Sequence, residues 1–478
     1  MSGRYSRSRG GPVRSAWPFL VVLGAAVAVA TSACSPPAPA ASATAAAPTR
    51  PAKIVAPPAT SAGAQLRWLL AAMAHLPLSG GQVRAHFDAA FLTETSPAVL
   101  NEALQAVTGA ELVSVQVSEL NTVIAIISAG GAARDQGVQG VQVWLTVDIR
   151  GLISGLRISP VTTGSIPATW AQVDAALRSA APRVRLLVAD VSNGSCQPVH
   201  GIDSSTAAPI GAAFKLYVLD ALGQAAASGT VRWNQPLTVT AQLKSLPAGE
   251  LQNEPDGTRV SVLDTAAAMM SLSDNTATDM LINLVGRSAV EAALTATGMA
   301  SPALDQPLLT TREIFVLKLR QWPALATRYV TADESSRRTL LASTVDRAPL
   351  PAVASAGSWT TPRDIDSLEY FASAADICRV YASLAALARR PGLAPIGQVL
   401  SLNDDSLALD PAQWQTTWFK GGSEPGVLTM AFLATTRTGR SYVVTALAEN
   451  PSQSIDETTA IPVMLSAAKG AFTLAARG

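Results

Sequence analysis

Three short stretches of this chain hold residues that could share one piece of chemistry. In "GAAFKLYVL" (211–219), Lys215 sits one turn into an apolar run. An ammonium there is costly to bury without partners. In "SLSDNTATDMLI" (271–282), Ser273, Asp274 and Asn275 separate two apolar segments of helical spacing. Such polar residues also serve as a plain interhelical cap. In "WFKGGSEPGVL" (418–428), Lys420 precedes Gly421 and Gly422 and opens a long apolar strand. Glycines let a ligand approach the backbone closely, although a lysine beside a glycine turn is common. A hydroxyl beside a neutral amine makes a nucleophile with its own base. Positions i and i+3 share a helix face, so residue 212 would face the Lys215 amine. It is Ala212, which has no oxygen to give.

The elements around these stretches must bring them together. Residues 168–182, "ATWAQVDAALRSAAP", read as an amphipathic helix, and "VRLLVADVS" (184–192) as a strand. Helical segments dominate from there to about residue 400. Two apolar strands in 426–449 flank a Thr438-Gly439-Arg440 turn, a hairpin signal. A last helix covers 456–477. This is an α/β sandwich whose sheet draws on both ends of its chain segment. Before it, "AQLRWLLAAMAHL" (64–76) and "GQVRAHFDAAFL" (81–92) each read as a helix, and Ser96 before Pro97 reads as an N-cap. From residue 111 the period changes to two, with strands expected in 111–120, 122–131, 138–149 and 151–160. Residues 63–165 are therefore expected to form a small α+β domain of helices and a curved antiparallel sheet, and 166–478 a second domain.

The ordered set of Lys215, Ser273-Asp274-Asn275 and Lys420-Gly421-Gly422 resembles the penicillin-recognising serine hydrolases. These are the class A β-lactamases and penicillin-binding proteins, with S-x-x-K, S-D-N and K-T-G. The resemblance covers roughly 166–478 and implies a class A β-lactamase-like sandwich with a helical middle. It implies catalytic places for Lys215, Ser273, Asn275 and Lys420, and substrate-binding places for Gly421, Gly422 and Ser423. An oxyanion hole would come from the backbone N–H groups of Ala212 and Ser423. The chain departs from the family in three ways. Ala212 stands at the nucleophile position. Gly421 replaces the K-T-G threonine. "GMASPALDQPLLTTREIF" (298–315) lacks the E-x-x-L-N string of class A enzymes, and Glu313 falls in the next helix. Ser204 and Ser205 have no lysine at helical spacing, Ser273 relays protons in the family, and Tyr217 reads as core. Residues 63–165 look like the first domain of a two-domain branch that includes proteins of clavulanic-acid gene clusters and exported lipoproteins. Two functions stay open: a non-catalytic binding protein on this scaffold, or a serine hydrolase (esterase or amidase) with its nucleophile elsewhere.

The N-terminus carries Arg4, Arg7, Arg9 and Arg14, then an apolar run at 17–30, then "TSAC". This reads as a signal peptide over 1–34 with Cys34 as the lipidated residue; ordinary secretion is the other reading. Residues 35–62 are an Ala/Pro-rich tether that cannot bury enough apolar surface to fold. The expected location is the outer face of the cell membrane, held by a lipid anchor. The other cysteines, Cys196 and Cys378, would pair in an oxidising compartment. Three histidines and no clustered cysteines exclude zinc, and no cofactor is expected. A net charge of +1 without a basic stripe argues against nucleic acid. A peptidoglycan peptide or β-lactam-like small molecule is the expected partner of the cleft.

Overall fold

The computed structural model describes residues 56–58, 60–105, 107–118, 122–128, 140–148, 150–160, 166–246, 248–357, 359–403, 407 and 409–477. The leader, Cys34 and most of the tether lie outside the described residues.

Four helices open the fold: α1 (Ser61–Ala72), α2 (Gly80–His86), α3 (Ala89–Glu94) and α4 (Pro97–Gln105). The single helix expected over 81–92 is two. Asp88 breaks it: its carboxylate accepts from Phe91 N at 2.6 Å and caps α3, while its own N–H donates to Ile153 O. A cap demands extended backbone at Asp88, so the first helix ends before it. Strands β1 (Leu112–Ser118), β2 (Thr122–Ser128), β3 (Gly140–Val147) and β4 (Ile153–Pro160) follow as an antiparallel meander. Leu66, Leu69, Phe87, Leu100, Val143 and Leu145 are among the side chains packed between this sheet and its helices.

Helix α5 (Trp170–Ala180) begins the second unit, followed by β5 (Arg183–Asp190), β6 (Gln197–Ile202) and the short β7 (Ala208–Pro209). Helices α6 (Lys215–Ala227), α7 (Val262–Ser271), α8 (Asn275–Val285), α9 (Arg287–Ala296) and α10 (Thr311–Leu319) belong to the helical middle. The short β8 (Phe371–Ala372), paired with β7, precedes α11 (Ala374–Ala388). The chain closes with β9 (Trp414–Glu424), β10 (Val427–Thr436), β11 (Ser441–Glu449) and α12 (Glu457–Ala475). The sheet order is β9-β10-β11-β5-β6, so the last strands of the chain pair with the first of the unit. The two faces of β5 alternate. Leu187 and Ala189 pack toward α6 and α11, while Leu186 and Val188 pack toward α5 and α12. Ile124 of β2 and Trp144 of β3 join that second layer, so the first unit packs on the side of the sheet away from α6.

Lys420 does not open the apolar strand, as the sequence suggested. It lies inside β9, and the apolar strand β10 starts at Val427 after a Pro425-Gly426 turn. Gly426 has φ of +88°, which lets the chain reverse there. Cys196 and Cys378 are joined, with Cα atoms 6.2 Å apart, tying the β5–β6 turn to α11. Among the described residues no helix is long and apolar enough to cross a membrane.

Candidate active site

The site is assembled from three places. A 3₁₀ turn, Gly211–Phe214, leads from β7 into α6. Ile210 N donates to Tyr370 O at 2.9 Å, and the Phe214 and Tyr370 rings stack at 3.5 Å. These contacts fix the turn before Lys215 begins the α-helix. Lys215 is fully buried. Its amine donates to Ser273 O (2.5 Å) and to Asn275 Oδ1 (2.7 Å), and lies 3.2 Å from Ser273 Oγ. The Lys420 amine, on β9, lies 3.1 Å from the same hydroxyl and 2.7 Å from Gly421 O. Lys215, Ser273, Asn275 and Lys420 therefore converge on one point. The buried lysines meet oxygen partners there, which a buried amine requires in either protonation state.

Between α7 and α8, Ser273 has φ of +54°, the left-handed region that a serine seldom adopts. Asp274 holds it there. This fully buried carboxylate accepts from Ala277 N, Glu250 N and Leu251 N at 2.7–2.9 Å. Asn275 Nδ2 donates to Leu246 O, which turns its amide oxygen toward Lys215. The run "KSLPAGELQ" (244–252) thus supplies the backbone that braces the Ser-Asp-Asn turn. Sequence reasoning passed over Asp274 as a site residue, and the Asp-Asn pair before an apolar run, an N-cap pattern, was the available signal. It also missed a polar layer beneath. Thr311 Oγ1 lies 2.7 Å from Ser245 Oγ and 2.9 Å from Asp279 Oδ1. Burial pushes the Asp279 carboxyl up to about 7, against the backbone N–H groups of Thr311 and Arg312.

Ala212 is half-buried, three residues before Lys215. Strand β9 presses on this turn. A Cβ built on Gly422 would stand 2.4 Å from Ile210 O and 2.5 Å from Ala212 N; one on Gly211 would stand 3.2 Å from Ser423 N. The backbone nitrogens of Ala212 and Ser423 are thus both at this glycine contact. Gly421 has a local reason of its own: a Cβ there would meet Phe419 Cζ at 2.7 Å. Threonine at 421 would need that ring to move.

Glu313 is committed elsewhere. It closes a capping box with Thr310 and pairs with Arg287 at 2.7 Å. Ser204 and Ser205 lie in a turn, and Tyr217 is core. At the end of β9, Glu424 meets the fully buried Lys318 of α10 at 2.6 Å, and Glu369 lies 3.4 Å from the same amine. Burial, with the nearby Glu369 carboxylate, holds the Glu424 carboxyl well above the usual range, although Lys318 opposes it. Among the described residues no group of three or more His, Cys, Asp or Glu side chains is placed to hold a metal ion.

Residues 168–367 match the family model described as the β-lactamase enzyme family, and residues 57–153 match that of the N-terminal part of the ORF 12 gene product. The comparison with curated proteins finds no match. Similar solved structures include a β-lactamase from Sphaerobacter thermophilus (18% identity, 64% of this chain and 97% of that one, TM-score 0.46). PBP-A is similar at 15% identity (66% and 100%, TM-score 0.44). So is a β-lactamase from Xanthomonas campestris at 18% identity (64% and 96%, TM-score 0.44).

Proposed function

We propose, from a second unit that belongs to the penicillin-recognising serine hydrolases through residues 168–367, that this chain is an exported cell-envelope lipoprotein whose cleft holds a ligand without forming the family's acyl-enzyme at position 212. The ligand class is a β-lactam-like molecule or a peptidoglycan peptide. One observation carries the reading. Ala212 presents a methyl group at the place that the resemblance gives to the family's nucleophile, while Lys215, Ser273, Asn275 and Lys420 share one hydrogen-bonded set. Two lysines and a glycine-lined backbone suit a ligand carbonyl or carboxylate. Loss of a serine nucleophile in such a site costs on the order of 10⁶ in kcat. The lipid anchor and outer-face location rest on the arginines, the apolar run and Cys34 of the leader.

The full chain, detergent-solubilised, is the material for the test. Turnover of a chromogenic cephalosporin is expected at background, while penicillin G or a stem peptide raises the melting temperature reversibly. Turnover well above background overturns the loss of catalysis. Absence of stabilisation by either ligand class overturns ligand holding.

A further inference from the structure

We infer that Ser273 is itself a nucleophile, one that captures an activated carbonyl as a stable ester. The inference goes beyond ligand holding and rests on four features of this residue. Its hydroxyl lies 3.2 Å from one lysine amine and 3.1 Å from another, so whichever amine is neutral is within reach of its proton. Serine-lysine pairs of this kind suffice for acyl transfer on other folds. Ser273 is also the accessible member of the set. Lys215 is 0% exposed, Lys420 3% and Asn275 9%, whereas Ser273 is half-buried. Its backbone is held at φ +54° by Asp274 and by the Lys215 amine on its carbonyl oxygen. Such strain persists only where the surroundings over-determine it, and it clusters at reactive positions. Finally, Ala212 offers no competing hydroxyl, so Ser273 has no serine at 212 to relay protons for.

The step balances without a co-reactant. Ser273 Oγ bonds to the carbonyl carbon of an activated ester, and its proton passes to the neutral amine of Lys215 or Lys420. On collapse the ester C–O bond breaks. The leaving atom takes the proton back from that ammonium, and acyl-Ser273 remains. An alkyl fluorophosphonate follows the same course: an O–P bond forms, P–F breaks, and fluoride leaves.

The fluorophosphonate is the probe, because its adduct does not depend on deacylation. Incubated with the full chain, it is expected to add one phosphonyl group per chain, mapping by peptide mass spectrometry to Ser273. Ser273→Ala and Ser273→Gly should both abolish it; the glycine accepts the positive φ and guards against misfolding of the alanine variant. An adduct mapping elsewhere, or surviving in either variant, overturns the inference. So does an unlabelled wild type under conditions that label an Ala212→Ser variant. Reversible stabilisation by penicillin G, read separately, reports on ligand holding alone and keeps the two failures distinct.

Discussion

Gly422 and Ala212 are in backbone contact: a single β-carbon on the glycine would stand 2.5 Å from the alanine nitrogen and 2.4 Å from Ile210 O. Strand β9 and the turn before α6 meet here with no room for a side chain. Gly422→Ala should therefore force the two apart and destabilise the fold by about 1–3 kcal/mol, as overpacking does. Denaturant unfolding measures this. An unchanged midpoint would mean that the contact is looser than described.

Ala212→Ser should place a hydroxyl three residues before Lys215. Serine is well tolerated at the start of a helix, so the melting temperature should move little. The variant should acquire a penicilloyl mass on residue 212, with slow release, since Glu313 is occupied by Arg287 and its capping box. A folded variant without adduct at 212 would show that the site does not align a nucleophile there.

Lys318 and Glu424 should respond very differently to substitution. Lys318→Met leaves two buried carboxylates facing each other and should cost about 3–5 kcal/mol. Glu424→Gln keeps a neutral partner and should cost far less. The Glu424 carboxyl is raised by burial and by Glu369, so its contribution is fully present below about pH 4.5 and is lost as pH rises through its folded value. Melting temperatures across pH should fall with rising pH in the wild type and less so in Glu424→Gln. Parallel curves would refute the raised Glu424 carboxyl.

Removing the Cys196–Cys378 link by a double alanine substitution should cost roughly 5 kcal/mol in the chain-entropy model, because 182 positions separate the two residues. Urea midpoints with matched m-values give the number. Non-reducing peptide mapping of exported protein should show the linked pair, and two freely alkylated thiols would remove the premise.

Metabolic labelling with a fatty-acid analogue should mark the wild-type chain and spare Cys34→Ala. Equal labelling of both would end the lipoprotein proposal, whatever the fate of the cleft.

How much of this was legible in advance depends on whether a feature is local in the chain. The helix-then-meander first unit and the sheet shared between the ends of the second unit were legible, because hydrophobic period marks each element. The positions of Lys215, Ser273, Asn275 and Lys420 were legible from the order of three motifs. The bounds of strand β9 are not legible, because Gly421-Gly422 interrupts its alternation and its outer residues are polar. The Lys318–Glu369–Glu424 cluster left no trace, since each residue alone looks like an ordinary surface charge and they meet only after folding. The role of Asp274 is not legible locally, because it lies in amides that come from 250 and 251.

The sheet order has a consequence for the birth of the protein. Lys420 follows Ser273 by 147 positions and belongs to one of the last strands to be synthesised. A growing chain carries Lys215 and the Ser-Asp-Asn turn long before their third partner exists, and β5 waits for β11 before its second neighbour arrives. Long-range pairing of this kind makes folding slow and leaves strand edges open meanwhile. If the chain is exported as proposed, the site is the last thing completed, and truncation before residue 420 removes Lys420 together with the strands that hold it.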